Sequence, residues 1–202
     1  MIALLDMYGT RPNLVFGFHG CSKSVYDKVL YQGEQLKRST NKYDWLGNGV
    51  YFWENSLKRA YNWAHNRYGE EGRVIGAILD LGHCLDLLDC ASNDVLRFAY
   101  NLLKTRYEHS GQPLPVNRKS AKREDVLLRD LDCAVIECVH DANRASGMPG
   151  YDSVRGPFIE GSPVYPGSEL REMTHIQICV VNPNCIKGYF RPVSADDEFV
   201  MP

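Results

Sequence analysis

Between Asp44 and Glu54 the chain reads Asp-Trp-Leu-Gly-Asn-Gly-Val-Tyr-Phe-Trp-Glu, and this block constrains the fold more than any other stretch. Two glycines at alternate positions fit a sharp turn, and the β-branched and aromatic run behind them fits a strand. Side chains alternate along a strand, so Tyr51 and Phe52 must face opposite sides. One ring can fill a core while the other lines a cleft. Because Gly47-Asn48-Gly49 leads into a strand and not a helix, it is no dinucleotide fingerprint of the GxGxxG kind. GxxxxGK[ST], HExxH and GxSxG runs are absent as well.

Around this block the pattern predicts an α+β, strand-rich chain with about three helices and no βαβ alternation. Residues 14–20 read as a strand ending at His19-Gly20. Val25, Val29 and Leu30 keep helical spacing over Ser24–Gln32, with Gly33 as C-cap. Arg38–Asn48 is polar and reads as a loop. Asn55 or Ser56 caps a helix carrying Leu57, Ala60, Tyr61 and Ala64. Val74–Leu81 reads as a buried strand and Val95–Tyr107 as an amphipathic helix. Leu131–Val139 reads as a strand or buried segment. Gly147–Gly167 is a long Gly/Pro-rich stretch, His175–Val181 a clear strand, and Ile186–Phe190 another. The 202 residues suit a single domain over 1–202, with an inserted loop at about 108–125 that holds the basic run Arg118–Arg123.

Charge excludes one class of function. With 23 Lys+Arg against 25 Asp+Glu, a net −2, nucleic acid cannot be held by bulk charge, only by a local patch. The 7 Cys form no CxxC and sit inside apolar runs, as small buried hydrophobes do in a reducing compartment. No metal is implied. Without an apolar run of 18 residues or a signal-peptide pattern, the expectation is a cytoplasmic protein with no membrane contact.

His19-Gly20 followed by Gly47-Asn48-Gly49-Val50-Tyr51-Phe52 resembles the nucleotide-site signature of ADP-ribosyltransferases of the diphtheria-toxin and poly(ADP-ribose) polymerase type. The chain is still more similar to a bacterial and phage group of small stand-alone ADP-ribosyltransferase-like proteins marked by a DWLGxGxYFWE block. In that group an RGxFxEG stretch precedes an HIQI strand, and here these are Arg155–Gly161 and His175–Ile178. The resemblance runs from about Phe16 to Phe190. It implies two packed, mainly antiparallel sheets with flanking helices and a central NAD cleft.

The resemblance also implies roles. His19 would hydrogen-bond a ribose of NAD, on the nicotinamide or the adenine side, and Tyr51 would stack on nicotinamide. Gly20, Gly49, Ser39, Asn41 and Arg155 would join the NAD site, Ser39 and Asn41 toward the adenosine half and Arg155 toward pyrophosphate or substrate. The catalytic glutamate that the family places before the late strand falls on Gln177, which can donate and accept a hydrogen bond but carries no charge. That departure speaks against polymer elongation and leaves single transfer, with Glu160 or Glu172 from the preceding loop as the source of charge. NAD is then a consumed substrate and the acceptor a protein, RNA or DNA. An intracellular toxin or phage-conflict effector is the implied setting, with an antitoxin as a further candidate partner. The rivals are an NAD glycohydrolase and a non-catalytic module that binds NAD or ADP-ribose.

Plain readings stand beside these. Ser39 and Asn41 can simply make loop turns, and Arg155 can form an ion pair. Trp45, Trp53 and Trp63 fit a core or pocket wall. His65, His83, His109 and His140 fit structural places, His175 fits a strand face as well as an active-site rim, and the 118–123 run fits a solvated loop.

Overall fold

Strands form where β-branched and aromatic residues concentrate, and three of them surround the constraining block. In the computed structural model, which describes residues 14–119 and 126–193, β1 is Val15–Ser22, β2 Val50–Glu54 and β3 Gly72–Leu79. Beyond them run β4 (Cys84–Asp86), β5 (Ser153–Phe158), β6 (His175–Val180) and β7 (Ile186–Phe190). The helices are α1 (Lys23–Gln32), α2 (Leu57–Tyr68), α3 (Ser92–Ser110) and α4 (Asp130–Ser146). Gly33 ends α1 in the left-handed conformation at φ 73°, as its sequence position implies.

The strands form one seven-stranded sheet in the order β4-β5-β6-β2-β1-β3-β7, not the two packed sheets expected. Every pairing is antiparallel except β4 with β5, whose parallel crossover contains α3 and α4. The sheet narrows at its centre. β1 and β3 pair over their whole length, whereas β1 and β2 share two register pairs, Gly17 with Glu54 and Phe18 with Trp53.

Alternation sorts the core onto two faces. Phe52, Ile75, Leu79, Ile178 and Val180 pack with Val29 of α1 on one face. On the other, Trp53 and Val74 meet Ala60 and Ala64 of α2, and Val154, Phe158 and Cys179 meet the apolar sides of α3 and α4.

Three expectations need correction. Leu131–Val139, read as a strand or buried segment, is buried but not a strand: it lies inside α4, and with Cys133, Val135, Ile136, Cys138 and Val139 all buried the run is apolar almost all round and shows no period. Four α-helices stand among the described residues where about three were expected. The 147–167 stretch is not one long connection, because β5 runs through it. Within the expected insertion, residues 108–110 close α3, Arg118 pairs with Asp130 at 2.9 Å, and 120–125 lie outside the described residues. All seven cysteines are free and six are buried. No described helix is long and apolar enough to cross a membrane.

Candidate functional site

Trp53, Gln177 and Gly156 lie side by side across β2, β6 and β5, and His175 pairs with Phe158 at the next position on the same face. Arg59 reaches this row from the first turn of α2, which Leu57, Ala60 and Ala64 dock onto the sheet. Glu160 arrives from two residues beyond β5. There the Met173 amide donates to its carbonyl at 3.1 Å and closes the base of the 160–173 loop.

Four polar side chains from three segments thus converge. His175 is 6% exposed; its Nδ1 donates to the Met173 carbonyl at 2.6 Å, and its Nε2 lies 2.9 Å from Gln177 Nε2. Glu160 places Oε1 at 3.9 Å from that Nε2 and Oε2 at 3.5 Å from Arg59 Nη2. Burial, outweighing the Met173 bond and aided by the Arg59 charge, pulls the His175 pKa down to about 4. The ring is therefore neutral at pH 7, and its contact with Glu160 is no ion pair. Arg59 is the cation that Glu160 faces. Trp53, the register partner of Gln177, adds a buried indole N–H with no acceptor among the described residues. An orphan buried donor costs about 1–3 kcal/mol, so the group calls for a partner such as a water, an ion or a ligand.

The expected pair Gln177 and Glu160 is brought together here, while Glu172 stays exposed. The hub, His175, was legible only as an alternative, and Arg59 was missed. It carries no motif, and only the docking of α2 brings it to the strand ends.

Tyr51 and His19 take other parts. Tyr51 packs against the core built with α3 and α4, and its hydroxyl donates to the Gly47 carbonyl at 2.7 Å while accepting from the Leu46 amide at 2.9 Å. Its hydroxyl ties the glycine turn and its ring packs on the core, a structural part beside the stacking role expected of it. His19 lies on the opposite face from Gln177, with its ring 5.8 Å from Phe52. Its Nδ1 donates to the Tyr51 carbonyl at 2.8 Å, where β1 and β2 part, and burial holds its pKa below the usual range. The two side chains expected to grip one dinucleotide are joined through backbone, not across a cleft.

The remaining expected contacts are also turned inward. A Cβ on Gly20 would come within 2.9 Å of the Ala60 carbonyl and of Trp63, so this glycine admits α2 and not a ligand. At Gly49 a Cβ would strike Cys179 Sγ and the Val180 carbonyl. Ser39 Oγ donates to Asp44 Oδ2 at 2.5 Å, and Asn41 Nδ2 donates to Ser39 Oγ at 2.8 Å, a self-contained polar turn. Arg155 is 7% exposed and grips Glu54 through Nε at 2.5 Å and Nη2 at 2.9 Å, with Nη1 on Asp86 at 3.2 Å. Its guanidinium is spent on two carboxylates, which leaves no fork for pyrophosphate.

Beside the cluster a cleft of about 630 Å³ opens between α3, α4 and the end of β5, lined by Trp45, Leu87, Leu96, Tyr100, Ile136 and Phe158 among others. Its volume suits a small molecule or part of a larger one. Arg129 sits 3.9 Å over Trp45, Trp45 stacks on Phe158 at 4.0 Å, and Phe158 stacks on His175 at 5.2 Å. Phe158 is thus the partition between cleft and cluster. Among the described residues no three His, Cys, Asp or Glu side chains are placed to hold a metal. No family model, no curated protein and no solved structure matches the chain.

Proposed function

We propose that the protein cleaves the nicotinamide N-glycosidic bond of NAD and transfers ADP-ribose to a macromolecular acceptor. The observation that carries this reading is the meeting of Glu160 and Gln177 at His175. They are the two residues that the resemblance assigns to the reacting ribose, they come from separate segments, and they lie on one face of the sheet. The orphan Trp53 N–H beside them is a donor in want of a ligand acceptor.

In this reading the C1′–N bond breaks with its electron pair leaving on nicotinamide, and positive charge develops on the ribose. The Glu160 carboxylate steadies that charge, and Gln177 accepts a hydrogen bond from a ribose hydroxyl. An acceptor oxygen or nitrogen then attacks C1′ and surrenders a proton to Glu160, the nearest carboxylate. Arg59 faces Glu160 until the ribose charge takes its place. An uncharged residue at position 177 fits a single transfer and not chain elongation.

The test is incubation of the full chain with labelled NAD and a cell lysate, followed by nicotinamide assay and separate protease and nuclease digestion of the labelled product. Release with label on protein or nucleic acid is expected. Release without labelling marks an NAD glycohydrolase, and binding without release a non-catalytic NAD module; either outcome overturns the transferase reading.

A further inference from the structure

Gln177 has an amide with two unlike ends, and its contact with His175 fixes which end faces the site. The Met173 carbonyl can only accept, so the 2.6 Å contact requires a proton on His175 Nδ1. A buried neutral imidazole then has a bare Nε2, which is an acceptor. The group 2.9 Å from it must be the donor end of the amide, Gln177 Nε2–H. Flipping the amide would set Oε1 against a lone pair and would demand an imidazolium.

Everything packed on the ring bears on that demand. Arg59 Nε lies 3.4 Å from Nδ1 and opposes a second proton, Glu160 Oε1 lies 3.9 Å from Nε2 and favours one, and Phe158 and Trp53 add apolar walls. Burial outweighs the carboxylate, whose charge already faces Arg59.

We propose that His175 is a positioning residue that locks the Gln177 amide with Oε1 outward, so that an amide serves as a one-sided acceptor for the donor ribose hydroxyl where a carboxylate would need no orientation. This rests on the ADP-ribosyl reading for the identity of the hydroxyl, and not for the orientation itself.

The experiment has two arms. In the first, ¹⁵N NMR of the imidazole of the intact chain near pH 7 reports the tautomer. A protonated Nδ1 and bare Nε2 are expected, and the reverse tautomer overturns the inference whatever the protein catalyses. The second arm is a double-mutant cycle on nicotinamide release. His175→Phe keeps the stacking on Phe158 but frees the amide, so the maximal rate should fall about tenfold with KM for NAD changed less than twofold. In the Gln177→Glu background, two equivalent oxygens make orientation irrelevant, and His175→Phe should then cost less than twofold. Equal losses in both backgrounds would make His175 merely structural and sink the positioning role. Should the wild-type chain release no nicotinamide, the ADP-ribosyl reading and the ribose assignment fall, while the tautomer still decides which end of the amide points outward.

Discussion

Two arginines, buried Arg155 and half-buried Arg59, stand one on each face of the sheet and are held differently. Arg155 makes three contacts of 2.5 to 3.2 Å with Glu54 and Asp86, joining β5, β2 and β4 into one frame. Arg59 reaches Glu160 at 3.5 Å, the edge of hydrogen-bond range, and its Nε lies 3.4 Å from the protonated Nδ1 of His175, a donor beside a donor. Short bidentate contacts locked between strands describe a group whose work is to hold the protein together. The longer Arg59–Glu160 contact, from a helix to a loop, describes a pair that can be exchanged when a charged ligand arrives. Arginine type and burial alone would have ranked Arg155 first as a binding residue, and geometry reverses that order.

The sharpest way to break the comparison is Arg155→Ala. It leaves Glu54 and Asp86 buried without their cation, and a stability loss of about 3–5 kcal/mol is expected in denaturant titration. A loss near zero would remove Arg155 from the frame.

Acid should act next. A histidine held neutral at about pKa 4 lets the unfolded chain, with its ordinary value near 6.5, take up the proton first. Stability is therefore full above about pH 6.5 and drains away as pH falls toward 4, by up to about 3 kcal/mol from His175. His19 and His140, also lowered by burial, act in the same direction. Urea midpoints across this window should fall less steeply in His175→Phe; an unchanged slope would mean the ring is already protonated in the folded state.

Tyr51→Phe removes the two bonds that tie the Gly47 turn, and leaves the Leu46 amide and Gly47 carbonyl to find new partners. A loss of about 1–3 kcal/mol is expected in thermal unfolding. An unchanged midpoint would return Tyr51 to the role of a ring without a working hydroxyl. Arg59→Ala should cost the least, about 1 kcal/mol or less by the same measurement, while nicotinamide release falls by more than tenfold. Were stability to drop as far as in Arg155→Ala, the two arginines would be alike and the contrast would fail.

Legibility in the sequence followed the same division. The glycine turn, β2, β6 and the cap of α1 were readable because local chemistry decides them: alternation, aromatic content and a left-handed glycine. α4 was not, since a helix buried nearly all round loses its period. In the candidate site, Glu160 and Gln177 were reachable through motif order. Arg59 and the orphan N–H of Trp53 were not, because both depend on how α2 sits against strands distant in the chain. Gly20 and Tyr51 were seen but given ligand roles. Their own neighbours, the Ala60 carbonyl and the Gly47 turn, already account for them.

The narrow junction between β1 and β2 divides the sheet into two units of opening. Two register pairs, the Asn55 amide bond to the Phe16 carbonyl and the His19 bond to the Tyr51 carbonyl link β1-β3-β7 to β4-β5-β6-β2 by hydrogen bonds, and the core that joins Phe52 to Ile75 adds packing across the junction. Native-state amide exchange should resolve the sheet into two protected blocks, with Gly17, Phe18, Trp53 and Glu54 exchanging ahead of both. His19 is then a further rung of the seam, and because its Nδ1 proton is present in the neutral and the charged ring alike, that rung outlasts a change of pH.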